Sequence, residues 1–424
     1  MPRSAARSRT AVLCRAARRR RVPAALVLAA CVASPVLGAG SAPVRAPGAD
    51  RGPALSAADA GRLVPPPDPA GPGRAGPAPA AGAEVMRSGD PRNRITLVLL
   101  GDGFTAAEAA LFRTESDRAW RALLQIEPFR TYQHFFNIRR VEITSPVSGI
   151  REQRSPRRGL PTPLGMHFWC DGTARLLCVD EQAAERLAGP RHGPRFVIAV
   201  ANSARYGGAG GSGVTTLAGG SPDAGRIIQH EMGHTLGDLG DEYDAAPADA
   251  GYPNLSAEGA DAMLRHRAKW WRWLGATAPD GSTVGAYAGA NGLYRPTPDS
   301  VMRTLGGLYN PPSQEAVVEG IYRRVDLLDG VSPAAGAVAG RPVLAVRPVP
   351  LAGGRRLRVL WTVDGRPVRP APGDGTRLDT AALRLPRGRA AAVAATVTDT
   401  TAMVRDEGFR ARRMTRTVRW VLRG

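Results

Sequence analysis

The stretch Arg226–Tyr243, RIIQHEMGHTLGDLGDEY, limits what this chain can fold into more than any other. His230 and His234 are spaced i, i+4, and two imidazoles so spaced share a face only if the backbone is helical. Ile227, Ile228 and Met232 give that helix an apolar side to bury. Two histidines one turn apart can grip a single metal ion, and Glu231, next to the first, can reach a water on that metal. The expected chemistry is zinc-assisted hydrolysis with Glu231 as general base. Gly237 is expected to carry a left-handed turn out of the helix. Beyond it lies an acidic cluster, Asp238, Asp241 and Glu242, from which a third ligand is expected.

The 424-residue chain is too long for one core and predicts two or three domains. Its net charge of +20 is not read as a nucleic-acid signal. Lys269 is the only lysine, and the arginines are scattered rather than striped. No nucleic-acid motif accompanies them, so no nucleic-acid partner is expected. A general attraction to acidic surfaces remains compatible with the charge. Of four cysteines, Cys14 and Cys31 fall in the leader. Cys170 and Cys178 are the only pair in the body and are expected to form a local disulfide in an exported protein. The competing role, as two zinc thiolates, lacks further Cys or His ligands at suitable spacing.

Residues 1–32 combine arginines, including the run Arg18–Arg21, with the short apolar stretch Val22–Val32, which predicts an export signal rather than a membrane span. Leu28-Ala29-Ala30-Cys31 fits a lipobox, which would make Cys31 a lipidated N-terminus and attach the protein to a membrane. The small residues near Gly38–Ala42 suit ordinary signal cleavage instead. Residues 33–86 are rich in Pro, Ala and Gly and predict a disordered tether.

A catalytic body is expected over 87–331. Ile95–Leu100 predicts a buried strand. Thr105 and Glu108 predict a capped start for a helix reaching Ile126. Phe135–Thr144 and Phe196–Asn202 predict further strands. The Gly-rich run Tyr206–Gly213 lacks a phosphate-loop signature and predicts a close-approaching backbone edge along which an extended substrate could add as a strand. Val214–Ala218 is expected to continue that edge. Trp270, Trp271 and Trp273 predict a core cap, with a substrate platform as the rival role. His266 is expected at the surface, and Ser313–Leu328 to be helical. Over 332–424, short alternating runs at Pro342–Val349, Leu357–Val363, Ala381–Leu385, Ala391–Val397 and Thr415–Leu422 predict an immunoglobulin-like β-sandwich. Asp364-Gly365 predicts a hairpin turn, and Trp361 and Trp420 a centre.

HEMGHTLGDLGDEY resembles the motif HExGHxxxxLxDEY of the IgA-peptidase (M64) family of zinc metallopeptidases. The resemblance extends through LVLLGDGFTAAE, EPFRTYQHFFNIRRVEITSPVSG, AVANSARYGGAGGSG and SVMR, roughly residues 88–325. It implies a metzincin-like α+β fold: a mixed sheet, an active-site helix, and a methionine turn at Met302, which packs beneath the metal. It implies one catalytic Zn²⁺ held by His230, His234 and a carboxylate. Metzincins usually place the third ligand at the position of Gly240, which has no side chain. Asp241 is the preferred replacement, with Glu242 as alternative ligand or as a partner orienting a ligand histidine. Tyr243 is a candidate oxyanion donor or a packing residue. Thr304 stands where some metzincins carry a tyrosine.

The expected function is a secreted or surface-anchored zinc endopeptidase acting on protein or peptide substrates. Immunoglobulin A is not carried over as substrate, because specificity resides in loops and pockets outside the motif. A surface adhesion protein on a metallopeptidase scaffold is the main rival and would be favoured by loss of Glu231 or a ligand histidine. A carbohydrate-binding protein using the Trp cluster is another. No oligomeric state follows from the sequence.

Overall fold

The computed structural model describes residues 82–154, 160–210, 213–243, 250–370, 373–384 and 389–423. The expected export signal, Cys31 and residues 33–81 of the expected tether lie outside them. The chain is α+β. Its first part runs β1 (Ala83–Met86), β2 (Ile95–Asp102), α1 (Ala109–Leu123), β3 (Phe136–Val141), β4 (His167–Cys170), β5 (Thr173–Cys178), α2 (Glu181–Leu187), β6 (Arg195–Ala201), β7 (Gly208–Ala209), β8 (Thr215–Ala218) and α3 (Ala224–Gly237). The remainder runs α4 (Ala260–His266), β9 (Tyr287–Ala288), β10 (Tyr294–Arg295), α5 (Pro311–Tyr322), β11 (Leu328–Ser332), β12 (Gly336–Ala339), β13 (Val343–Pro348), β14 (Arg358–Val363), β15 (Arg366–Val368), β16 (Arg377–Asp379), β17 (Ala391–Thr398), α6 (Glu407–Arg413) and β18 (Thr415–Arg423). Among the described residues, no helix is long and apolar enough to cross a membrane.

Six strands form a mixed sheet in the order β1-β3-β2-β6-β8-β7. The inner four are parallel, and β1 and β7 join antiparallel at the two edges. The continuous apolar run of β2 follows from burial on both faces. Leu97 and Leu99 enter one core with α1 and α3, while Val98 and Leu100 enter a second core with α2. β6 divides in the same way, with Ile198 and Val200 on the first side and Val197, Ala199 and Ala201 on the second.

At the end of β2, buried Asp102 accepts from the backbone N–H of Leu164 and Met166 and from Thr162 Oγ1, each at 2.8 Å. These bonds hold the segment leading into the β4–β5 hairpin. At the start of the next segment, Glu108 accepts from the Thr105 N–H at 2.9 Å, the acidic half of the expected capping arrangement. Strand β1 lies inside the 33–86 stretch expected to be tether. Its residues AEVM carry little apolar signal, and backbone pairing with β3 orders them.

The tail strands form two sheets, β11-β13-β16 and β12-β18-β17-β14-β15. Leu344, Val346 and Leu378 from the first share a core with Val393, Val397 and Leu422 from the second. Trp361 and Trp420 stack at its centre, ring centroids 5.8 Å apart. Asp364 and Gly365 both take positive φ (46° and 78°), as a tight hairpin between β14 and β15 requires. Of the strand expected at Ala381–Leu385, the described residues 381–384 form none, and Leu385 lies outside the described residues. The pairing falls instead on Arg377–Asp379, and a short turn begins at Thr380.

The two parts are joined by polar contacts. Tyr132 and Tyr322 both donate to Asp399 Oδ2, at 2.6 and 2.7 Å. The guanidinium of Arg94 meets both carboxylate oxygens of Asp329 at 2.6 and 2.7 Å. Trp270 and Trp273 are buried with Met263, Ala278 and Val284, the core role expected for this cluster. His266 is exposed against Glu258.

Candidate metal centre

Helix α3 is wedged between α1 and α5. Gln229 Nε2 donates to Ala122 O at 2.7 Å on one side, and on the other a Cβ at Gly237 would come within 2.8 Å of Val317. This packing fixes the rotation of the helix, so His230 and His234 project together, with Nε2 atoms 3.1 Å apart. Each ring is held from behind. His230 Nδ1 lies 2.9 Å from Val301 O, and His234 Nδ1 lies 2.6 Å from Leu239 O. A carbonyl can only accept, so Nδ1 carries the proton in both rings and both Nε2 lone pairs face the site.

The helix ends at Asp238, whose φ of 52° and ψ of 38° place it in the left-handed region. This corrects the expectation for Gly237, which stays helical. Asp tolerates the left-handed conformation, and Gly237 is needed instead for close packing on α5. The reversal returns Asp241 to the imidazoles. Its Oδ1 lies 3.0 Å from His230 Nε2 and 3.3 Å from His234 Nε2, yet this buried oxygen makes no hydrogen bond.

Three ligand atoms thus converge at 3.0–3.3 Å with no proton in line between them. Four-coordinate zinc with bonds of about 2.0–2.1 Å separates neighbouring ligands by about 3.3 Å, so these residues fit such an ion. The electrostatics also favour a cation. Burial pulls the His234 pKa down, but the Asp241 carboxylate, Glu231 and the Leu239 carbonyl together outweigh it and push it up to about 9. Burial pushes Asp241 up, and the imidazoles outweigh that and hold its carboxyl well below the usual range.

Glu231 is fully buried, and its ligand atom lies within 4.8 Å of those of both histidines. Burial raises its pKa, opposed by the two histidines. Strand β7 runs past it, and Gly210 just beyond that strand is pressed against it. A Cβ on Gly210 would lie 2.5 Å from Glu231 Oε2 and 3.0 Å from its carbonyl oxygen.

Glu242 turns away from the histidines. It accepts from Asn254 Nδ2 at 2.9 Å, Ser300 Oγ at 2.7 Å and Asn310 Nδ2 at 3.4 Å, and burial raises its pKa. Asn254 also clamps both the N–H and the carbonyl of Gly240, at 2.8 and 2.7 Å. The Glu242 network therefore holds the turn that carries Asp241, rather than a histidine ring. The Tyr243 hydroxyl, expected as an oxyanion donor or packing group, donates to Asp241 Oδ2 at 2.9 Å. Met302 is fully buried under α3, with its sulfur 2.6 Å from where a Cβ on Gly233 would stand.

Cys170 and Cys178 are joined as a disulfide across the β4–β5 hairpin. That hairpin packs on the sheet edge: Thr216 Oγ1 donates to Leu177 O at 3.2 Å, and Phe168 abuts Gly207. Sequence reasoning missed Asn254, Asn310, and the carbonyls of Val301 and Leu239. Any residue type supplies a carbonyl, so those two carried no signal. Asn254 lies on a loop whose return to Gly240 is a tertiary event.

The IgA Peptidase M64 family pattern matches residues 83–280, which include the metal-site helix and the carboxylates that follow it. No curated protein matches the chain. This match supports assigning residues 83–280 to the IgA peptidase M64 family, and the convergent His-Glu-His site stands within it.

Proposed function

We propose that the protein is a zinc-dependent endopeptidase of metzincin-like build, with His230, His234 and Asp241 as ligands and Glu231 as general base. The observation that carries this reading is the convergence of three ligand atoms beside a buried glutamate. A zinc ion bound there supplies Lewis acidity that acidifies water and polarises a peptide carbonyl. The chain's residues do the rest. Glu231, in a site shielded from solvent, accepts the proton of the attacking water and returns it to the leaving amine. Val301 and Leu239 fix the ring tautomers, and the Glu242–Asn254 pair holds Asp241 in place. An extended substrate lying along β7, the sheet edge beside Glu231, would bring its backbone past the base.

The test is Glu231→Gln assayed on a quenched-fluorescence peptide library. Zinc content should match wild type, while turnover falls by about 10²–10⁴ or more. Undiminished turnover would remove Glu231 from this role.

We also propose that the protein is exported and attached through Cys31. The Cys170–Cys178 disulfide supports an oxidising compartment. Cys31→Ser should shift the protein from the membrane to the soluble fraction, and a wild type that is already soluble, with its N-terminus near Gly40, would overturn attachment. The tail sheets are proposed as an immunoglobulin-like sandwich, supported by their shared core.

A further inference from the structure

Peptide hydrolysis places negative charge on the carbonyl oxygen as water adds to the carbonyl carbon. Tyr243 cannot meet that charge while its hydroxyl is committed to Asp241. Two of the buried side-chain polar atoms without a hydrogen-bond partner belong to this region. One is Asp241 Oδ1, an acceptor that fits a cation. The other is Tyr206 Oη, a donor.

Tyr206 lies between β6 and β7, on the segment that leads to Gly210 and Glu231. It packs against Tyr243 in the turn after α3, as does Leu305 from the turn after Met302. Its electrostatic neighbours include Glu231 and Arg175, the latter on the disulfide hairpin. A buried hydroxyl with no partner costs the folded protein about 1–3 kcal/mol. Such a cost is typical of a group aimed at charge that appears only during reaction.

We propose that Tyr206 is a catalytic residue whose hydroxyl donates a hydrogen bond to the oxyanion of the tetrahedral intermediate. This rests on the peptidase reading above. In the step, the water oxygen bonds to the carbonyl carbon while the carbonyl π pair moves onto its oxygen. The water's proton goes to Glu231. When the C–N bond breaks, the oxygen's electron pair re-forms the carbonyl and the proton passes from Glu231 to the nitrogen. Tyr206 keeps its own proton throughout. Burial, the largest influence on its acidity, raises its pKa, so the hydroxyl stays protonated at neutral pH. Catalytic hydrogen bonds of this kind often engage only once substrate is bound.

The experiment compares wild type, Glu231→Gln and Tyr206→Phe on the peptide library, with zinc content, thermal melting, and affinity for a phosphinic peptide that mimics the tetrahedral oxyanion. Tyr206→Phe should lower kcat by about 10²–10³ with KM nearly unchanged. Phosphinic peptide affinity should fall in parallel. Zinc content should hold, and the melting temperature should stay or rise, because the variant deletes an unsatisfied group. A structural role would instead lower melting and metal content along with activity, and that result overturns the proposal. So does a wild-type kcat in Tyr206→Phe when Glu231→Gln is inactive, which leaves the peptidase reading standing. A wild type that hydrolyses nothing overturns both.

Discussion

The Tyr243 hydroxyl donates to Oδ2 of Asp241 at 2.9 Å, which leaves Oδ1 to face His230 and His234. The two oxygens of one carboxylate are therefore placed differently, one anchored by Tyr243 and the other turned to the imidazoles. Its neighbour Glu242 has both oxygens engaged by Asn254, Ser300 and Asn310.

Asp241→Ala and Glu242→Ala should fail in different ways. Removing Asp241 leaves two imidazoles on one helix, and the protein should purify largely free of zinc and inactive. Removing Glu242 leaves the proposed ligand set intact but takes an acceptor from three buried donors. Stability should fall by about 1–3 kcal/mol, and metal affinity or turnover by about 10–100-fold. Metal analysis and melting curves separate the two. Zinc retained in Asp241→Ala and lost in Glu242→Ala would exchange their roles.

A second prediction concerns pH. Glu115 on α1 is buried, and burial raises its pKa to about 7 against the weaker pull of Arg118. Its Oε2 has no hydrogen-bond partner. Between about pH 4.5 and 7 the carboxyl is protonated in the folded chain while it is ionised in the unfolded one. Its contribution is fully present below about pH 4.5 and lost as pH climbs through about 7. Glu115→Gln, which cannot ionise, should be more stable than wild type by roughly 2 kcal/mol at pH 8 and nearly equal to it at pH 4. Denaturant melts at the two pH values check this. A gain of equal size at both would show that Glu115 titrates normally.

Periodicity and side-chain chemistry made part of this structure legible in advance. The i, i+4 histidines required α3, and the unbroken apolar run of β2 required cover on both faces. The stacked Trp361 and Trp420 also lie at the centre of the tail core, as expected. Reading failed where tertiary pairing orders weak sequence. β12 has only Gly336–Ala339 to offer and gains its order from parallel pairing with β18, more than seventy residues later. Apolar spacing carried the helix expected at Ser313–Leu328 too far. α5 starts two residues earlier, at Pro311, with Asn310 as its cap, and stops at Tyr322. Within the site, adjacent residues Asp241 and Glu242 were both plausible ligands. Their opposite directions depend on the left-handed Asp238 and on Asn254, and neither influence is visible in local spacing.

The last prediction concerns Gly210. A Cβ there would stand 2.5 Å from Glu231 Oε2, 2.8 Å from its Cβ and 3.0 Å from its carbonyl oxygen. The carboxylate tip could swing aside, but the Cβ and the carbonyl belong to α3, which is packed between α1 and α5. The base or the β7 segment must therefore move. Gly210→Ala touches none of the three proposed ligands, so zinc content should equal that of wild type. Displacing the base by about 1 Å is enough to cost about 10²-fold in turnover. Gly259→Ala is the control, because a Cβ there meets only Tyr294, at 3.8 Å or more, and its activity should match wild type. Steady-state kinetics with metal analysis on both variants decides the matter. Full turnover in Gly210→Ala would mean that the β7 segment yields freely and does not set the position of Glu231.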